Sequence, residues 1–195
     1  MAGLLKQTEK ISQIAAWCSG MLLFLASLMI AVEVILRKVF TYSIGGADEL
    51  SSYALAISCT WGFSFALFRK SHIRIDVLYS RLPQKGRNLL DVCAFMLLAV
   101  YIFTLSYFAF IVVKTSVVKH SAANTPLATP LWIPQSLWLL GLVWFGFTIF
   151  VILAGTFYHY FKGNQQLATK LSGISTLEEE IKESAELTVT IGEDK

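Results

Sequence analysis

Four apolar runs, each too long for the interior of a small soluble domain, constrain this chain more than any other feature. They fall at about Ile14–Leu36, Leu50–Phe68, Leu89–Val113 and Ser136–Phe157. A helix needs about 20 apolar residues to cross the hydrocarbon of a bilayer. Lipid offers no partner to a backbone amide or carbonyl, so a spanning segment must bond within itself as a helix. The expected fold is therefore an all-α integral membrane protein with four transmembrane helices. Composition agrees: only 15% of the 195 residues are charged and 55% are hydrophobic, against about a quarter charged in soluble domains. The net charge of +3 is not read as a sign of nucleic-acid binding, because its basic residues flank the spans.

Basic residues near span ends set orientation. With the N-terminus in the cytoplasm, ten lie inside: Lys6, Lys10, Arg69, Lys70, Arg74, Arg81, Lys85, Arg87, Lys162 and Lys170. Four lie outside: Arg37, Lys38, Lys114 and Lys119. Both termini are thus expected in the cytoplasm. The first run far exceeds the apolar core of a cleaved signal peptide, and is expected to stay as a span. The outer pair Arg37–Lys38 has acids nearby: Glu33 is four residues before Arg37, and Asp48 and Glu49 open the second span. That spacing suits ion pairing, either to secure the turn or to meet a partner protein.

Residues 1–162 form the expected four-helix membrane domain. Between spans two and three, IRIDVLYSRLPQKGRN alternates apolar and basic residues, as expected of an amphipathic segment lying in the headgroup plane on lipid phosphates. Pro83 and Gly86 are expected to break it. The opposite loop, with prolines at 126, 130 and 134, is expected to run extended and to re-enter the membrane at Trp132 and Trp138. Residues 163–195 read as an acidic, mobile cytoplasmic tail with a capping-box start at Thr176 and Glu179.

The spans lack catalytic and cofactor chemistry. No charged side chain sits at mid-depth, where one would mark an ion or solute route. His72 and His120 fall in loops and His159 at the edge of span four, so no pair shares a depth at which to hold haem. No serine has a histidine partner within a span, and Cys18, Cys59 and Cys93 read as small apolar fillers. No catalytic, metal-binding or substrate-binding residue is expected, and the chain is not expected to be an enzyme. Ala54, Ser58, Gly62 and Ala66 recur every four residues, a small-residue strip for close helix packing, within the chain or against another protein. In HIRID at 72–76, His72 and Asp76 are one helical turn apart and suited to pairing.

Arg37 and Phe40 after span one, Glu49 opening span two and Trp61-Gly62 within it are elements of a resemblance. Arg69, HIRID with its His72, Arg74 and Asp76, and TPLATPLWIPQS at 125–136 continue it. In this order, over about residues 14–160, they resemble the small membrane subunit (the Q component) of tripartite ATP-independent periplasmic (TRAP) transporters. The resemblance implies a bacterial inner-membrane scaffold that clamps a large elevator-type subunit, with a periplasmic binding protein as the third partner. It implies import of an organic acid such as a dicarboxylate or sialic acid, with substrate and sodium sites on the large subunit and no cofactor in this chain. Arg37, Glu49, the small strip, Arg69, His72, Arg74 and Asp76 are then the candidate scaffold and partner contacts. The alternative is a membrane anchor of a respiratory or redox enzyme.

Overall fold

A computed structural model describes residues 2–69 and 84–161. They form four helices: α1 (Ala2–Val39), α2 (Ala47–Phe68), α3 (Gln84–Val118) and α4 (Trp132–Phe161). All four are long and apolar enough to cross a membrane. Each encloses one expected span and continues past it. Leaving the hydrocarbon does not end a helix whose backbone is already bonded internally, so polar flanks such as Lys6–Lys10 stay helical. At 38 residues, α1 is about 57 Å long; at 22, α2 is about 33 Å.

The helices do not close into a symmetric bundle. α1 packs along α2, α2 and α3 each pack on α4, and α1 reaches α4 more locally. The order across the membrane plane is α1–α2–α4–α3. Seven-residue spacing generates these contacts. α1 buries Ser12, Ser19, Ala26 and Glu33; α3 buries Phe95, Ile102, Ala109 and Ser116. α4 answers with Leu142, Phe145, Ile149 and Ile152, spaced three and four apart. A seam that repeats every two turns keeps neighbouring helices in contact at a shallow left-handed crossing.

Small and hydroxylated residues bring α1, α2 and α4 together. A Cβ added to Gly141 would stand 2.5 Å from Thr60 Oγ1 and 2.9 Å from Trp61 Cδ1, so only glycine admits that approach. Ser58 Oγ donates to the Ser19 carbonyl at 3.0 Å and Trp61 Nε1 to the Leu137 carbonyl at 3.0 Å. Trp144 Nε1 donates to Ser12 Oγ at 3.2 Å. Between them these bonds tie α1 to α2, α2 to α4 and α4 to α1. The apolar core, Leu67, Phe95, Ile102, Phe145, Ile149 and Ile152, lies where α2, α3 and α4 meet, with Leu5 of α1 packed against it.

Two expectations change. Gly86 does not break the chain before span three but is the third residue of α3; the helix tolerates it because one missing Cβ leaves the backbone bonds intact. The α3–α4 loop is not extended. It doubles back, with Ala122 bridged to Pro130, Ala123 N donating to the Thr129 carbonyl and Leu131 N to the Ser121 carbonyl, both at 3.0 Å. Of its prolines, Pro134 sits in the first turn of α4, where a helix has no use for an amide proton. Residues 73–83 of the expected amphipathic segment, with the break expected at Pro83, and the tail beyond Phe161 lie outside the described residues.

Candidate functional site

Among the described residues, the end that carries the α1–α2 turn and the α3–α4 loop concentrates the polar side-chain contacts. Glu33 reaches it because the seven-residue stripe of α1 puts a carboxylate where the small residues of the lower turns would be. It is 3% exposed. Arg37 Nη2 donates to its Oε1 at 2.9 Å, Ser43 Oγ donates to the same oxygen at 2.6 Å, and Ile44 N donates to Oε2 at 2.9 Å. One carboxylate therefore closes the turn from both sides. The expected Glu33–Arg37 pair is present. The backbone anchor through Ser43 and Ile44 was not legible, because it depends on how the chain bends after Val39. That bend places Thr41 at φ 50 and Gly45 at φ 75, a region costly for a β-branched residue and free for glycine.

Glu49 does not join this pair. Its carboxylate, on a residue 8% exposed, accepts from Tyr53 Oη at 2.9 Å, from Thr125 Oγ1 and from Thr129. Both threonines belong to the α3–α4 loop. Leu127 of the same loop lies over Gly46, so closely that a Cβ there would collide with it. The first turn of α2 thus clasps the far loop, polar contact beside apolar contact. Asp48 is different: its side chain is 86% exposed and 3.9 Å from Arg37, a distance and exposure at which an ion pair contributes little. Arg37, Ser43, Gly45–Glu49, Thr125 and Pro126 line a cleft of about 280 Å³.

Of the small strip, Ala54 and Ser58 are buried, and Ser58 faces α1 through its bond to Ser19. Gly62 and Ala66 are half-buried, and a Cβ at Gly62 meets nothing within 4 Å. Among the described residues the close approach is made at Gly141 and not at Gly62; nothing in the local sequence separates the two glycines. Arg69 closes α2 with its guanidinium 5.5 Å from the Phe65 ring centroid. His72, Arg74 and Asp76 lie outside the described residues. Cys18, Cys59 and Cys93 are exposed on the helix surfaces. Among the described residues no group of histidine, cysteine and carboxylate side chains is placed to hold a metal.

Among the described residues the helices are tied to one another and present wide apolar faces to their surroundings. A family model described as the DctQ component of tripartite ATP-independent periplasmic transporters matches residues 26–163. That range runs from the C-terminal part of α1 past the end of α4, and takes in both polar junctions. No curated protein matches the chain.

Proposed function

Since the chain belongs to the DctQ component family of tripartite ATP-independent periplasmic transporters, we propose that it is the scaffold subunit that steadies the large membrane subunit. As a transporter component it is not an enzyme, and four membrane-crossing helices make it a multi-pass inner-membrane protein. That family displaces the alternative of a redox-enzyme anchor. The scaffold reading goes further. The large subunit moves the solute and carries the sodium and substrate sites, while this chain stays still against it. A periplasmic protein delivers the solute, an organic acid such as a dicarboxylate or sialic acid. Both termini face the cytoplasm, in keeping with the basic residues of the 69–87 segment.

The observation that carries this reading is an open row of helices, curled so that α1 also touches α4, with α3 at its edge. A closed four-helix bundle would satisfy its own apolar surfaces; this row leaves the open face of α2 around Gly62 and nearly all of α3 available to another membrane protein. Its rigidity comes from polar ties at one end and glycine-threonine contact in the middle. In lipid, where apolar burial provides no drive, contacts of that kind hold helices together. Lipid headgroups are the remaining partner, through the basic residues of the 69–87 segment.

Removing the chain from cells that keep the large subunit and the binding protein tests the proposal. Uptake should be abolished, and the large subunit should fall in abundance and extract poorly. Undiminished uptake without this chain would refute the scaffold role.

A further inference from the structure

α3 packs on the rest of the chain through one stripe, Phe95, Ile102, Ala109 and Ser116. On its opposite side runs a second stripe, Leu97, Val100, Thr104, Tyr107 and Ile111, all exposed. Its spacing of three, four, three and four is that of a helix–helix seam. Apolar residues on such a face suit lipid equally well, so the pattern alone does not identify what covers it. Tyr107 does.

Hydroxyls within these helices are commonly satisfied at home. Thr8, Ser19, Thr104, Thr115, Thr148 and Thr156 each donate to the carbonyl four residues earlier, at 2.7–2.9 Å. A tyrosine is too long and stiff to do the same. Tyr107 is 63% exposed, and among the described residues its hydroxyl has no hydrogen-bond partner. It is two residues from the centre of the membrane-crossing stretch Val92–Val118. Helical side chains slope toward the N-terminus, so its hydroxyl falls near the middle of the hydrocarbon. Tyr101, also exposed at 62%, slopes from a lower turn toward the headgroups, where a phenol is at ease. Tyr107 has no such exit, and hydrocarbon offers it no acceptor.

We infer that the Leu97–Ile111 stripe of α3 is a protein interface, and that Tyr107 donates a hydrogen bond across it to the large membrane subunit. The acceptor is a backbone carbonyl or polar side chain on a helix lying along this stripe. This assigns a face to the docking proposed above, and rests on that reading.

The test uses the full chain co-expressed with its large subunit. A photo-crosslinking residue replaces Val100 or Ile111, and separately Gly62. Adducts with the large subunit from Val100 and Ile111 support the inference. Adducts with lipid only, or with a second copy of this chain, overturn it. If Gly62 crosslinks while both α3 positions stay silent, the inference fails and the scaffold reading stands. If no position crosslinks and the wild-type proteins do not co-purify, both fall. Tyr107→Phe keeps the ring and removes the donor, so the isolated chain should extract and fold unchanged. Association should weaken about 3- to 15-fold, the range of hydrogen bonds between membrane helices. Unaltered association in Tyr107→Phe overturns the hydrogen bond.

Discussion

α3 and α4 are nearly indistinguishable as apolar strings, with the same mean hydropathy of 2.4 over their best windows, yet 44% of the α4 window is buried and 11% of the α3 window. α4 is the middle of the row and α3 its edge. The difference lies in shape. α4 carries Gly141 against Thr60 and Trp61 on one side and Gly146, where an added Cβ would stand 3.6 Å from Ile102, on another, so two helices approach it at once. α3 buries one residue in seven against its neighbours and leaves most of its large side chains exposed. Water sorts helices by polarity; lipid sorts them by fit.

Substitutions that add volume put this contrast under the greatest strain. Gly141→Leu drives a side chain into Thr60 and Trp61 and should destabilise the purified chain by about 3 kcal/mol, read by denaturant titration in mild detergent. The same change at Gly62, where a Cβ finds open space, should leave the isolated chain within about 0.5 kcal/mol of wild type. Equal losses at the two glycines would end the distinction between a filled seam and an open face.

The loop that joins α3 to α4 extends the comparison, since it is clasped by α2 through Glu49. Glu49→Ala strands the Tyr53, Thr125 and Thr129 donors and should lower the thermal midpoint clearly. Glu49→Gln keeps an acceptor and should lower it less. A protease-accessibility assay at residues 121–131 should follow the same order. If cleavage is unchanged in Glu49→Ala, the clasp does not hold the loop.

Smaller effects sharpen the picture. Trp61→Phe removes the bond to the Leu137 carbonyl and should cost about 1 kcal/mol. On the edge helix, Leu97→Ala, at a residue 71% exposed, should change the stability of the isolated chain by less than about 0.5 kcal/mol. A cost near that of a core leucine would place α3 inside the fold. Asp48→Asn, at an exposed carboxylate far from ideal pairing distance, should be smallest of all and should vanish in high salt.

Parts of this polar site were legible in the chain and parts were not, and sequence separation decides which. Glu33 and Arg37 are one turn apart on one helix, so their pairing follows from helical geometry. Ser43 and Ile44 lie ten and eleven residues beyond Glu33, across a bend whose path depends on Thr41 and Gly45. Thr125 is 76 residues from Glu49, and no periodicity relates them. The proline-rich loop read as extended because three prolines favour extended backbone, but its local bonds at Ala123 and Leu131 fold it back.

The sequence by itself determined that there are four helices and where each crosses, because about 20 uncharged residues in hydrocarbon have no other way to bond their backbones. It also determined that no charged group stands at mid-depth. Only the tertiary structure decided which helix is central, which carboxylate clasps which loop, and which of two glycines is a contact. Gly141 and Gly62 are the same residue in similar apolar surroundings; an added Cβ on the first meets Thr60, on the second nothing among the described residues. Packing in a membrane depends on complementary shape between segments far apart in sequence, and that information exists only once they are side by side.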